Sequence, residues 1–471
     1  MNLAAPAAAA PPEPQAALRR ALGLAAALYL AEQALLWALY WWPAPKALVG
    51  DEVLYLQRAL GVARLAPLPE KLWLWPPLQH WFLGALFRLF GPHLVVAQLA
   101  QNLLLLASAG FLRALWRRLD GRAAAGDLAA ALYLLNPSVL ACAWWLWPEP
   151  LHLFLLLGAL WLLACAPWQR LAAPLAGAAV GLAILAKSLL MPFWPAFALL
   201  WWRGGGRAVL VRSAAFALAL GVVLAPMLWY GWRQTGAPLI ADSSGFNLAG
   251  GLADRWRSDY IDDAVAPLFG RYLSAPGGPR EKNAAMLAAA RAQLQQRGLA
   301  PILAEQLGKQ YFRLFSAKTL LVTQLPGRAC AGYLGAYRLD PGALASALAF
   351  LAIAWHLLVL VCGALGIAAW RRWRDPLALW IGLFAAYQLA LFLGLHVKAR
   401  FLLPLLPFLG GFAASALLSL PRLRGSPAAP ADASGDACVV ASRPRWWFGA
   451  ALAALLAFLA LGGPLLDRSC G

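Results

Sequence analysis

The chain has 471 residues, 62% of them hydrophobic and only 13% charged, with 24 Trp and a formal net charge of +19. Soluble domains are nearer half apolar and a quarter charged, so this composition excludes a soluble enzyme, a disordered chain and a disulfide scaffold. In a soluble protein the basic balance would suggest nucleic acid; here it points to the cytoplasmic face of a membrane. Arg outnumbers Lys 32 to 7 amid abundant Ala and Leu, as in GC-rich bacterial genomes.

The chain opens with an Ala/Pro-rich stretch, and residues 1–20 read as a disordered cytoplasmic tail. The apolar run after Arg19-Arg20 has no small-residue cleavage site and reads as an uncleaved first span. Crossing ~30 Å of hydrocarbon takes about 20 helical residues. Eleven runs qualify as candidate spans: 22–42, 94–116, 123–141, 150–166, 171–187, 189–202, 208–230, 343–369, 376–395, 401–420 and 447–466. The predicted fold is therefore an all-α polytopic membrane protein with about eleven transmembrane helices.

Orientation follows from Lys and Arg in short loops. With the N-terminus inside, the inside loops hold 17 of the 39 basic residues, among them Arg113, Arg117, Arg118, Arg122, Arg203 and Arg374. The short outside segments hold only Lys187, Lys398, Arg400 and Arg468. Two long outer loops, 43–93 and 231–342, carry the other 18 and are exempt from the charge rule. This predicts a bacterial inner-membrane protein with a cytoplasmic N-terminus and a periplasmic or extracellular C-terminus. Residues 72–90, broken by Pro76-Pro77, read as an amphipathic helix at the outer membrane surface. Helices are expected at 281–297 and near 300–316, and 425–442 reads as a cytoplasmic Pro/Ala/Ser/Asp linker. The regions are thus the tail 1–20, an N-terminal transmembrane module 21–230, the large outer loop 231–342 and C-terminal transmembrane helices 343–471. The six Cys lack CxxC or metal spacing. Cys142, Cys165 and Cys362 read as core filler, while Cys330 and Cys470 could meet on the oxidising side.

Charges are rare enough that their positions carry information. Asp51-Glu52 follows span one on the outside, and Tyr55 shares a helix face with Asp51 four residues on, with Arg58 beyond. Gly50-Asp51 also reads as an N-cap, a role compatible with that of a general base at the membrane surface. His80, after Pro76-Pro77, is either a substrate contact or an interfacial residue. Glu149 is the acid of an aromatic outer turn containing Trp144, Trp145 and Trp147. Lys187 lies between two apolar runs, where it either snorkels outward or meets an anionic headgroup. Lys398 and Arg400 cluster at an outer boundary otherwise poor in cations, as a phosphate site requires. Glu32-Gln33 in span one is costly near mid-bilayer, and Gln101, Asn102 or Gln388 could partner it. There is no Walker A motif or Gly-rich phosphate loop.

The order of these features resembles the GT-C superfamily of integral-membrane glycosyltransferases. Within it, the likeness is to the family 39 group of dolichyl- or polyprenyl-phosphate-sugar-dependent mannosyltransferases and the lipid A aminoarabinose transferase. The matching elements are Asp51-Glu52 with Tyr55, Pro76-Pro77-Leu78, Pro148-Glu149, Gly181 through Ser188, Gly236-Ala237-Pro238 and Arg400 through Pro407. The resemblance implies that the first outer loop, 43–93, carries the catalytic site, with Asp51 as general base and Glu52 in the acceptor or metal region. It places Lys187, Lys398 and Arg400 at the donor phosphate; Tyr55, Arg58, His80 and Glu149 are expected in the substrate cavity. The expected function is inverting transfer of a sugar from a polyprenyl-phosphate carrier to a lipid, glycan or protein acceptor at the outer face. The expected partners are that donor, the bilayer and the acceptor, without nucleic acid; no cofactor is certain, and a divalent metal stays open. The alternatives are a lipid or sugar transporter or flippase without covalent chemistry, or a lipid-diphosphate-dependent surface-glycan ligase or polymerase.

Overall fold

The computed structural model describes residues 14–42, 48, 51–66, 75–241, 243–253, 265–317, 320–322, 329–332, 335–338, 343–419 and 446–466. The linker 425–442 and Cys470 lie outside these residues. Helix α1 spans Pro14–Leu36, starting inside the expected tail, and continues as a π-helix, Trp37–Trp41. The first outer loop supplies α2 (Asp51–Ala63) and α3 (Leu78–Phe90), packed together. There follow α4 (Leu94–Asp120), α5 (Ala123–Leu134), α6 (Pro137–Cys142), α7 (Glu149–Ala164), α8 (Gln169–Ala186) and α9 (Gly206–Thr235). The second outer loop holds α10 (Ser244–Ala253), α11 (Val265–Ser274), α12 (Pro279–Arg297) and α13 (Leu299–Phe315). An antiparallel hairpin follows, β1 (Ala329–Gly332) with β2 (Gly335–Arg338). Then come α14 (Ala343–Ala369), α15 (Pro376–Gly394), α16 (Leu406–Leu417) and α17 (Trp446–Leu466).

The chain is a multi-pass helical membrane protein. Five described helices are long and apolar enough to cross a bilayer: Leu22–Leu39, Leu94–Asp120, Gly206–Thr235, Ala343–Ala369 and Pro376–Gly394. Five shorter apolar helices accompany them: Ala123–Leu134, Glu149–Ala164, Arg170–Ala186, Leu406–Leu417 and Trp447–Gly462. The span predicted at 189–202 is not an α-helix. It is two 3-10 pieces, Ser188–Leu190 and Trp194–Trp201, because Pro192 and Pro195 remove the amide donors that a continuous helix needs. The span predicted at 123–141 likewise stops at Leu134. Asn136 then caps a new turn, its side chain accepting the Ser138 N–H at 2.9 Å, with Pro137 at the first helical position. The span predicted at 401–420 begins as a 3-10 turn, Ala399–Leu402, and becomes α-helical only past Pro404. Broken backbone at membrane depth is tolerated where it lines a cavity.

Small residues let the helices approach closely. A Cβ on Gly177 of α8 would come within 2.2 Å of the Phe216 carbonyl oxygen on α9, and one on Gly366 of α14 within 2.1 Å of the Phe412 carbonyl oxygen on α16. Between α4 and α16, Asp120 is fully buried at the side chain, and Arg122 reaches it with Nε at 2.5 Å and Nη2 at 2.9 Å. Ser415 donates to the same carboxylate at 2.5 Å and accepts from Trp116 Nε1 at 3.0 Å. Removing one partner of such a buried pair leaves an uncompensated charge. Asp120→Ala should therefore cost about 3 kcal/mol of stability, read as a large fall in the melting temperature of the detergent-solubilised protein.

The helix ends that the charge pattern assigns to one side do meet. The C-terminal end of α4 and the N-terminal end of α15 are joined by Arg118–Asp375 at 3.3 Å, and Arg203 donates to the Arg374 carbonyl oxygen at 2.6 Å. The ends assigned to the outside converge on the cavity described next.

Candidate functional site

A cavity of about 320 Å³ gathers Asp51, Tyr55, Glu149, Lys187, Lys398 and Arg400 from four separate stretches of chain. Asp51 opens α2, and Glu149 opens α7 behind Pro148. Lys187 follows α8, where the chain turns extended before the 3-10 break. Lys398 and Arg400 sit in the turn after α15. The lining includes an apolar set, Leu189, Pro192, Leu391, Phe392 and Leu395, together with Trp75, Ser243, Ser244, Phe246 and Asn247.

The charges form one connected network. Arg400 Nη2 is hydrogen-bonded to Asp51 Oδ2, and its Nε lies 3.8 Å from Glu149 Oε1. Lys187 Nζ donates to the same Glu149 oxygen at 3.1 Å. The guanidinium stacks 4.2 Å above the Trp147 ring, and Lys187 lies 4.7 Å above Phe401. Burial alone would raise the Asp51 pKa, but Lys398 and Arg400 outweigh it and lower the value from 3.8 to about 2. Conversely, burial alone would lower that of Arg400, but Asp51 and Glu149 hold it firmly charged. A carboxylate whose pKa falls on folding stabilises fully above its unfolded value, and that contribution is lost as pH falls through the folded value. Asp51 should thus contribute roughly 2 kcal/mol at neutral pH, fading between about pH 4 and pH 2. Thermal melts across that window should show a steeper acid loss in wild type than in Asp51→Asn; equal slopes would contradict the pairing.

Three residues expected at the cavity or in its chemistry stand outside the lining. Glu52 is fully buried, and its Oε1 accepts the Leu146 N–H at 3.0 Å. Arg58 and His80 form a layer behind Tyr55. Arg58 Nη1 lies 3.0 Å from His80 Nε2, and the Tyr55 and His80 rings meet edge-on at 5.0 Å. Burial, then the Arg58 charge, lowers the His80 pKa to about 3, so this His is neutral at physiological pH. Burial lowers that of Arg58 to about 10 and raises that of Tyr55. The tryptophans of the outer turn are interior: Trp144, Trp145 and Trp147 are at most 6% exposed. They are therefore packed in the interior and do not form an open stacking surface. Of the partners suggested for Glu32, Asn102 bonds Tyr29 and Gln101 bonds the tryptophan turn. Among the described residues, no group of three His, Cys, Asp or Glu is placed to hold a metal.

Sequence reasoning placed no site residue in the second long loop, 231–342. The Asn247 carbonyl oxygen accepts the His396 N–H at 2.9 Å, docking α10 onto the segment that leads from α15 to Lys398. Gly251 permits this approach: a Cβ there would sit 2.6 Å from His396 N and 2.7 Å from the Gly394 oxygen. The signal in the sequence was the run of small residues Ala249, Gly250 and Gly251 in an outer loop.

These features define a multi-pass helical membrane scaffold with a charged cavity. The crystal structure of the Archaeoglobus fulgidus oligosaccharyltransferase in the apo form is similar, with 13% sequence identity and a TM-score of 0.50. The match covers 95% of this chain and 55% of that one, so this chain spans about half its length. The archaeal oligosaccharyltransferase AglB from the same organism, in complex with an inhibitory peptide and a dolichol-phosphate, matches over the same shares at 13% identity and a TM-score of 0.49. No protein-family model matches the chain, and no curated protein matches it.

Proposed function

We propose that the protein is an inverting glycosyltransferase that moves a sugar from a polyprenyl-phosphate carrier to an acceptor at the outer face of the bacterial inner membrane. The observation that carries this reading is the convergence of a carboxylate, Asp51, with three cations, Lys187, Lys398 and Arg400, in one cavity whose lining includes an apolar set. A polyprenyl phosphate is an anion on a long hydrocarbon tail, and that combination of lining residues suits both parts. The AglB structure in complex with a dolichol-phosphate is a fold relative in which a carrier of this chemistry is bound.

In the resting site Arg400 is bound to Asp51, and a carboxylate so stabilised is a weak base. A donor phosphate competes for the guanidinium. As Arg400 turns to the phosphate, Asp51 loses the partner that suppresses its proton affinity and becomes able to accept a proton. The acceptor nucleophile then attacks the anomeric carbon while Asp51 takes its proton. The bond from that carbon to the phosphate oxygen breaks, and the phosphate leaves with the electron pair, its charge met by Lys187, Lys398 and Arg400. One displacement inverts the anomeric centre. Glu149 keeps its place between Lys187 and Arg400, and its shared oxygen offsets the repulsion between the two cations beside the phosphate.

Purified protein in sealed proteoliposomes, given radiolabelled polyprenyl-phosphate sugar and envelope extract as the acceptor source, tests the reading. Free polyprenyl phosphate and a labelled acceptor are expected. Movement of intact donor across the bilayer would mark a transporter, and turnover only with a polyprenyl-diphosphate glycan would mark a ligase or polymerase.

A further inference from the structure

We infer that Glu52 is a positioning residue that holds the tryptophan turn so that Trp147 and Glu149 meet Arg400; this role rests on the glycosyl-transfer reading above. Adjacent residues on a helix point about 100° apart, so Asp51 and Glu52 cannot share the cavity face. Asp51 touches Arg400 directly. Glu52 turns inward, fully buried, and accepts the Leu146 N–H at 3.0 Å.

The turn it grips is pinned from three helices. Gln101 of α4 donates to the Trp145 carbonyl oxygen at 2.7 Å and to that of Ala143 at 3.1 Å. Gln79 of α3 donates to the Leu146 carbonyl oxygen at 3.2 Å and to Gln101 Oε1 at 3.3 Å. Both backbone groups of Leu146 thus end on buried side chains, which is how a non-helical segment satisfies its peptide groups away from water. The next residue is Trp147, stacked on Trp145 at 3.9 Å and lying under the Arg400 guanidinium. Two residues further on, Glu149 begins α7 and reaches Lys187 and Arg400. The two neighbouring carboxylates of α2 therefore act on one guanidinium, one by contact and the other through the turn that seats it.

The test compares Glu52→Ala with the conservative Glu52→Gln, whose amide oxygen can still accept the Leu146 N–H. Donor KM, kcat and the affinity for polyprenyl phosphate alone are measured in wild-type and Arg400→Ala backgrounds. Glu52→Ala is expected to raise donor KM and weaken polyprenyl-phosphate binding about tenfold with a much smaller loss of kcat. Glu52→Gln should recover most of that loss. In the Arg400→Ala background Glu52→Ala should add less than about twofold, because the cation it positions is gone. If Glu52→Ala does not insert, Gln79→Leu, which frees the Leu146 carbonyl oxygen, carries the same expectation. Loss of kcat in Glu52→Gln as deep as in Asp51→Asn would mean that the carboxylate itself takes part in the chemistry and would overturn the role. Unchanged donor affinity in Glu52→Ala would overturn it as well. Wild-type protein that binds polyprenyl phosphate but transfers nothing would remove the glycosyl-transfer reading, and the phosphate affinities would then decide the positioning role alone. Wild type that does neither overturns both.

Discussion

Asp51→Asn, in protein that inserts normally, should lower sugar transfer by about 10²–10⁴-fold while leaving donor binding intact or slightly tighter. The amide fills the same space but cannot take the acceptor proton. It also releases Arg400 from its ion pair, so the guanidinium is free to meet the donor phosphate without first leaving a carboxylate. Loss of kcat without loss of donor affinity separates a base from a binding residue. A mere helix cap would behave differently, because Asn caps about as well as Asp and transfer would survive. Asp51→Asn with near wild-type turnover therefore removes the base assignment.

Arg400→Ala should do the reverse at the binding step, weakening donor affinity about 10–100-fold, as expected when a charge-assisted contact worth about 1.5–3 kcal/mol is lost. Arg400 lies between Asp51 and Glu149 and stacks on Trp147, so three neighbours lose a partner together. Arg400→Lys should recover only part of the loss, because an ammonium lacks the planar fork that bridges two acceptors and stacks on a ring. Because Lys187 and Arg400 meet the same Glu149 oxygen, the effects of Arg400→Ala and Lys187→Ala should be less than additive. Donor affinity unchanged in Arg400→Ala would contradict the phosphate assignment.

Much of the scaffold was legible because hydrophobic length and the placement of Lys and Arg report directly on insertion. The expected helix at 343–369 coincides with α14, and those at 281–297 and 300–316 with α12 and α13. Charge was legible for a related reason. Lys187, Lys398 and Arg400 stand out in short outer segments because an isolated cation is costly beside hydrocarbon. What composition could not carry was pairing across distance. The Asp51–Arg400 bond joins residues 349 apart, and the Glu52–Leu146 bond residues 94 apart, the latter through a backbone amide that has no sequence signature. Local chemistry was under-read at 189–202, where Pro192 and Pro195 interrupt an apolar run that is also short for a span. Trp144, Trp145 and Trp147 could have been an interfacial belt by composition; only packing decides that they are interior.

The most direct measurement of the central claim is the release of free polyprenyl phosphate from a radiolabelled polyprenyl-phosphate sugar, followed side by side for wild type and Asp51→Asn in sealed proteoliposomes with envelope extract. The account predicts time-dependent release coupled to acceptor labelling in wild type, and bound but unreacted donor in the variant. Equal release by both proteins, or passage of intact donor through the bilayer without release, would contradict it.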